Sequence, residues 1–274
     1  MKKFIVTLAC TLVCLVSFAQ GKVVTKKYRI ADFTDKITKV VIPGTDLLDN
    51  AIKQEVTKCW YASAFEICDL QEFERLKKDD NYYFLIPAGY GGITFLTLVK
   101  GAPEATEGTA GMHEVVSIPV CSERVKSGRE LVYIGALVEF VQKFTLDAMN
   151  SELTAYGMEE WININYARRG KMKTIWISED DIARGVPAKI LSELDEDIHI
   201  ADEDTVDSHY ASGEYNTLVS YVVSPSEPGN GAVCYTMLFE SDTHTLYYFN
   251  KHKLSGKNGP GFVAADFKRI IKAR

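Results

Sequence analysis

The stretch Asp197-Ile198-His199-Ile200-Ala201-Asp202 has the pattern of a short strand that ends in an aspartate, and the chain contains a second stretch of the same kind. In Phe65-Glu66-Ile67-Cys68-Asp69, apolar residues again alternate along a segment with a closing aspartate. A period of two is typical of a half-buried strand, and aspartate is favoured at the start of a helix. A short amphipathic pattern and an apolar strand follow each stretch, at 82–86 and 218–223. We therefore predict that one arrangement occurs twice.

The two stretches predict an α+β fold made of two related units, which is compatible with an internal duplication. Each unit runs helix–strand–helix–strand–strand, at about 44–100 and 186–250. Between the units, apolar residues recur at steps of three and four and predict a long helix over 129–156. Its apolar stripe is wide, so we expect this helix to cover or bridge the sheets.

The chain divides into three parts on this prediction. Residues 1–19 form a signal peptide, 20–168 hold the first unit with the long helix, and 169–274 hold the second unit with a basic C-terminal helix. The boundary between the units lies in the basic break that begins at Arg168.

The start of the chain has the layout of a secretory signal peptide. Lys2 and Lys3 precede an apolar run at 4–16, and the small residues Ser17 and Ala19 stand three and one before a plausible cleavage point. The run is too short to span a bilayer as a mature helix. We predict an exported protein, periplasmic or extracellular. Lipid anchoring is less favoured, because neither cysteine of the leader has a leucine three positions before it.

The charge balance argues against nucleic acid as a partner. The formal net charge of −6 becomes −8 when Lys2 and Lys3 are lost with the leader. Nucleic acids are polyanions, so an acidic chain binds them poorly through bulk electrostatics. No later stretch reaches the roughly 18 apolar residues of a membrane span, and we predict none in the mature chain.

Cysteine usage leaves two alternatives open. Cys59, Cys68, Cys121 and Cys234 remain after the leader. An oxidising compartment permits disulfides among them, and four cysteines allow three pairings. They are equally well explained as buried thiols that pack as small apolar side chains. The spacing contains no C-x-x-C motif, so we predict neither a zinc site nor a redox site.

The two quoted stretches resemble a recurring module of the bacterial envelope. A helix, a strand that ends in aspartate, a short helix and a long hydrophobic strand are similar to the CsgG, LpoB and TolB amino-terminal modules, and 65–69 and 198–202 are the matching residues. The leader also resembles those of exported Bacteroidota proteins, in which Gln often follows the cut. The resemblance covers about 110 residues and implies a scaffolding or assembly role without a fixed catalytic set.

Charged segments are the first candidate sites. Acids without any Lys or Arg occupy 193–207, and the tail from Lys251 carries seven basic residues and the acid Asp266. The spacing of a calcium-binding loop is missing, so we predict a solvated acidic face at a helix start and no metal site. The tail is expected to be a charged helix face. It could instead pair with the acidic segment or attract an anionic partner.

A hydrolase is the second functional hypothesis. His113 ends the glycine-containing loop 101–113, and Cys121 or Ser127 could serve as its nucleophile. No nucleophile elbow, zinc-protease motif or P-loop is present in the sequence, and Gly89-Tyr90-Gly91-Gly92 is predicted to be a turn. We therefore assign no catalytic, cofactor-binding or metal-binding residue.

The leading hypothesis is a non-enzymatic envelope module. It would bind an envelope protein or a cell-wall component through sheet edges and exposed aromatic residues, and it would need no cofactor. Two triplets of aromatic residues, at 82–84 and 247–249, could stack on sugars or peptides. They lie in predicted strands, however, and are expected to pack in the core. A third hypothesis is a small-ligand binder with its pocket between the two units. The oligomeric state is left open.

Overall fold

A computed structural model of the protein describes residues 27–229 and 231–273. The predicted leader, 1–19, lies outside these residues. The fold is α+β with two five-stranded mixed sheets, which confirms the predicted class.

Each sheet is formed by five strands that follow one another along the chain. The first sheet contains β1 (Ile37–Val41), β2 (Ala64–Cys68), β3 (Tyr82–Tyr90), β4 (Ile93–Lys100) and β5 (His113–Ser122). The second contains β6 (Thr174–Ser178), β7 (Ile198–Ala201), β8 (Thr217–Val223), β9 (Val233–Glu240) and β10 (Leu246–Lys253). The helices are α1 (Lys27–Ile30), α2 (Leu47–Cys59), α3 (Leu70–Leu76), α4 (Glu130–Asn150), α5 (Glu152–Tyr156), α6 (Met158–Arg168), α7 (Ala188–Leu191), α8 (Glu203–Ala211) and α9 (Ala264–Ala273). Short 3-10 turns lie at Phe33–Asp35, Gly170–Met172 and Glu179–Asp181.

The two sheets have the same topology. Their strand orders are β2-β1-β3-β4-β5 and β7-β6-β8-β9-β10. The first strand of each unit pairs in parallel with the second and third, and the remaining strands are antiparallel. Strand order and strand direction therefore match position by position.

The pairing register also matches, and it aligns the two stretches from which the repeat was predicted. Cys68 lies opposite Val41, the last residue of β1, and Ala201 lies opposite Ser178, the last residue of β6. The next residue in each unit is the aspartate. Each aspartate caps the helix after it. Asp69 accepts a hydrogen bond from the backbone amide of Glu72 at 2.7 Å, and Asp202 accepts one from the backbone amide of Thr205 at 2.9 Å.

Two details of the prediction need correction. Each unit opens with a strand, β1 or β6, that the predicted five-element order leaves out, and the first unit continues through β5. The long helix over 129–156 is not continuous, because Ser151 leaves helical geometry (φ −142°) and its hydroxyl caps α5 by accepting from the amide of Thr154 at 3.3 Å. The apolar pattern runs on through this break, so periodicity alone does not reveal it.

Helix α4 packs between the two sheets, as predicted for the long helix. Its side chains are buried on nearly all sides from Tyr133 to Ala148, and they belong to one core that includes residues of both sheets. Gln142 ties α2 to this helix by donating to the carbonyl of Cys59 at 2.8 Å and accepting from the amide of Tyr61 at 2.9 Å.

The units meet through unlike faces. Phe84 in β3 and Val219 in β8 occupy equivalent register positions, since they pair with equivalent residues of β1 and β6. Val219 belongs to the shared core, whereas Phe84 belongs to a separate cluster with α3 on the outer side of the first sheet. Conversely, Val40 lies in the shared core and its equivalent, Ile177, lies in the outer cluster with α7 and α9. The contact between the units is therefore head to tail.

Within 27–229 and 231–273, no helix has both the length and the apolarity to cross a bilayer.

Candidate functional site

A buried ionic network joins the two units, and we call it the junction cluster (Arg129, Asp181, Asp207, Tyr133 and Ser220). Arg129 is only 6% exposed, and its Nη1 donates to both carboxylate oxygens of Asp181 at 3.1 and 3.0 Å. Its Nε donates to Asp207 at 2.9 Å, and its Nη2 donates to the carbonyl of Ser220 at 2.8 Å. One guanidinium from the first unit thus satisfies three groups of the second.

Electrostatics in the junction cluster follow from burial. Burial raises the pKa of the Asp181 carboxyl, while Arg129 and the Ser220 hydroxyl act against that rise. Burial acts to lower the pKa of Arg129, but Asp181 and Asp207 outweigh it and hold the guanidinium charged. The rings of Tyr133 and Tyr221 stack at 4.4 Å beneath the guanidinium. With its donors and acceptors filled, this cluster has the properties of a structural joint.

A groove lies where the first sheet meets β9 and β10. Tyr90, Phe95 and Tyr235 line two adjoining hollows, with volumes of about 720 and 530 Å³. The larger hollow also contains Met158 and Phe249 and has the loop 107–111 as one wall. We call the whole depression the inter-unit groove. A concave, largely apolar site with a few polar groups is the usual setting for ligand binding.

The aromatic side chains of the groove are fixed by their packing. Phe95 and Tyr235 hold equivalent positions in β4 and β9, and their rings meet edge to face with centroids 5.7 Å apart. Tyr235 in turn contacts Phe249, with centroids 5.9 Å apart. Burial raises the pKa of Tyr235 to about 12, so its phenol stays neutral at physiological pH. Tyr90, by contrast, is 46% exposed and can meet a ligand directly.

The walls of the groove are well anchored. Tyr90 immediately precedes a two-residue hairpin turn in which both glycines have positive φ, 61° and 79°, a conformation that favours glycine. On the opposite side, the buried Lys77 donates to the carbonyl of Thr106, and the Thr106 amide donates to the carbonyl of Ala110 at 2.8 Å. The loop 101–113 therefore has a defined shape.

Glu114 and Glu107 are the two acids that line the larger hollow, and Glu114 extends from the sheet. The Glu114 residue as a whole is exposed, yet burial of the carboxyl raises its pKa. Among the residues that the structure describes, none donates a hydrogen bond to this carboxylate or forms an ion pair with it.

The residues suggested for hydrolysis do not come together. His113 and Cys121 lie near opposite ends of β5, eight residues apart, which is on the order of 25 Å at about 3.3 Å per residue. His113 contacts Arg29 at 3.4 Å, and Ser127 accepts from the amide of Arg129 at 3.2 Å. Burial raises the pKa of the Cys121 thiol to about 11, which leaves almost no thiolate at neutral pH.

The remaining described histidines are held by other contacts. His199 and His209 lie against the ring of Trp176, with centroids 4.4 and 4.0 Å away. His244 contacts Glu139 at 3.3 Å, and His252 contacts the carbonyl of Gly259 at 3.0 Å. These contacts are ring packing and hydrogen bonds.

The charged segments serve the fold. In the acidic segment, Asp202 is a cap, and Asp207 is a partner of Arg129. In the tail, Asp266 is fully buried and accepts hydrogen bonds from Tyr248 at 2.7 Å and Asn250 at 2.6 Å. Within the described ranges, no group of three or more His, Cys, Asp or Glu side chains is placed to hold a metal ion.

The four cysteines in the part of the chain that the structure describes are free thiols. Cys68, Cys121 and Cys234 are buried, Cys59 is partly buried, and none forms a disulfide. The predicted core role of the aromatic triplets agrees with the structure, since five of their six side chains are buried and Tyr82 is partly buried.

Comparison with known proteins yields no relative: no protein family, no curated protein and no solved structure matches the chain. The sequence suggested a pocket between the two units and singled out the loop 101–113, but it did not identify the residues that line the inter-unit groove. Two signals in the sequence point to it: a tyrosine placed directly before Gly91-Gly92, and a glutamate that directly precedes the predicted apolar strand at 115–120.

Proposed function

We propose that the protein is an exported, non-enzymatic interaction module of the cell envelope that holds its partner in the inter-unit groove. The observation that carries this proposal is the groove itself, with aromatic rings from both units meeting at Phe95 and Tyr235. Aromatic side chains contribute large contact areas at low entropic cost, so they are favoured at binding sites.

Rigidity supports binding as the role of this site. A site whose walls are already ordered loses little conformational entropy when it binds. The glycine turn after Tyr90 and the loop held by Lys77 both meet this condition. The wide separation of His113 from Cys121 gives no support to the hydrolase alternative.

Capture from envelope fractions tests the proposal. The mature chain, 20–274, is immobilised and compared with Tyr90→Ala, which removes the exposed ring of the groove. Tyr215→Ala is the matched control, because Tyr215 is 84% exposed and is not among the residues that line the groove. We expect a partner that the wild type and the control retain and that Tyr90→Ala loses. Equal retention by all three proteins would refute binding through the groove.

A small-molecule ligand is a second candidate, and the size of the larger hollow favours it. Its volume of about 720 Å³ lies within the range of about 300–1,000 Å³ that is usual for such sites. Native mass spectrometry of protein purified from its own cells would reveal a bound molecule. Uniformly unliganded protein would leave the partner-binding proposal as the better one.

A further inference from the structure

We infer that the inter-unit groove recognises a positively charged side chain, the ammonium of lysine or the guanidinium of arginine in a peptide segment of its partner, and that the Glu114 carboxylate pairs with it. This inference rests on the proposed function, because it specifies what the groove binds. It begins with the position of Glu114, which lines the larger hollow together with Thr97 and Ser117 from the neighbouring part of the sheet.

An unpaired carboxylate in such a place is unfavourable to the isolated protein. A charged group that loses hydration and gains no partner lowers the stability of the fold. The hydroxyls of Thr97 and Ser117 bond to each other at 2.8 Å, and no described residue donates to Glu114, so its carboxylate is left to a group from outside. A cation from a ligand would supply the missing partner.

The rings around the hollow suit a cation. Tyr90, Phe95, Tyr235 and Phe249 line the same space as the carboxylate. Aromatic faces attract ammonium and guanidinium groups, and the attraction is stronger where water is partly excluded. The methylene stem of lysine or arginine can also lie along the apolar wall.

The other charges of the groove leave it net negative. Its two basic side chains are already engaged: Arg124 pairs with Glu227 at 2.5 Å, and Lys251 interacts electrostatically with Glu159 outside the groove. Glu107 in the loop and Glu123 at the far end have no cation within ion-pair distance among the described residues. An anionic ligand would be repelled here, whereas a basic segment complements the groove along its length.

Calorimetric titration of the mature chain tests the inference, with tetralysine amide and tetraarginine amide as probes and tetraglutamate as the charge-reversed probe. We expect wild type to bind the cationic peptides, and we expect Glu114→Gln to bind them at least about tenfold more weakly, because a charge-assisted pair is lost. Glu152→Gln is the control, since Glu152 is an exposed acid of α5 and changes the net charge equally. The control should alter affinity less than about twofold.

A pH series provides a readout that does not depend on a variant. Binding to wild type should decline as the pH falls through the raised pKa of Glu114, because protonation removes the charge that pairs with the ligand. The other titratable groups that line this hollow are Glu107, Lys251 and the phenols of Tyr90 and Tyr235. Because Glu114→Gln keeps these other groups, its binding should not decline over the same pH range.

The outcomes separate this inference from the proposed function. Failure of wild type to bind either cationic peptide, or equal losses in Glu114→Gln and Glu152→Gln, overturns the inference even if Tyr90-dependent capture stands. Equal capture of the partner by wild type and Tyr90→Ala refutes the proposed function itself. A concentration-dependent dimer that Glu114→Gln abolishes, seen by light scattering, would place a second copy of the chain in the groove and also overturn the assignment to a partner.

Discussion

Replacing Arg129 with methionine tests whether the junction cluster holds the two units together. Methionine keeps much of the aliphatic length of arginine and removes every hydrogen bond of the guanidinium. Asp181, which is 4% exposed, would then keep only the Ser220 hydroxyl, at 2.5 Å, as a partner. The carbonyl of Ser220 would also lose its bond from Nη2.

The magnitude follows from the burial of these groups. Removing one partner of a buried ion pair costs about 3–5 kcal/mol, because the other charge is left uncompensated. Burial already raises the pKa of Asp181, so this carboxyl can take up a proton and limit the loss. We therefore expect Arg129→Met to lower the free energy of unfolding by about 3 kcal/mol at pH 7. The deficit should shrink as the pH falls, since protonation removes the unpaired charge.

Urea denaturation followed by tryptophan fluorescence measures this loss. Arg124→Met is the matched control, because Arg124 and Glu227 form an ion pair whose side chains are 70% and 73% exposed. Exposed pairs contribute about 0–1 kcal/mol, so the control should be nearly neutral. The double variant Arg129→Met with Asp181→Asn should recover part of the stability. A loss in Arg129→Met no larger than that of the control would refute this reasoning.

Three further predictions concern the caps, the groove and one close backbone contact. Asp69→Ala and Asp202→Ala should each lower the free energy of unfolding by about 1 kcal/mol in denaturation experiments, since each removes an N-cap. Glu114→Gln should raise the melting temperature at pH 7, because it removes an unpaired charge. Calorimetry should show this gain vanish as the pH falls through the raised pKa of Glu114, since the carboxyl of the wild type then becomes neutral as well. Gly101→Ala should cost about 1–3 kcal/mol, because its Cβ would lie 2.0 Å from the carbonyl oxygen of Asp79.

The features that could be predicted from the sequence are those with local causes. Alternation in 65–68 and 198–201 produces strands, and the aspartate after each strand satisfies the first amides of a helix. These signals lie within a few residues of one another, so the repeat could be recognised without knowledge of the fold. The opening strands β1 and β6 were not placed in the repeat, because no aspartate follows either strand directly.

The junction cluster and the groove could not be predicted in this way. Arg129 finds Asp181 and Asp207, which are 52 and 78 positions away, only because α4 lies between the sheets. The groove likewise arises from the packing of β4 against β9, and nothing near Phe95 in sequence identifies Tyr235 as its neighbour. Only Tyr90, directly before two glycines, and Glu114, an acid at the edge of an apolar run, carried local signs.

The contact of unlike faces has a consequence for assembly. A single unit that bound copies of itself through the same two unlike faces would form an open-ended polymer. Head-to-tail contacts end only when the rotation between neighbours closes a ring. The two ends of the present molecule are charged instead: Lys268 and Lys272 face solvent on α9, and Glu74 and Arg75 do so on α3. Charges at both ends of the linked pair disfavour further addition of this kind, and the groove is the space left where its two halves meet.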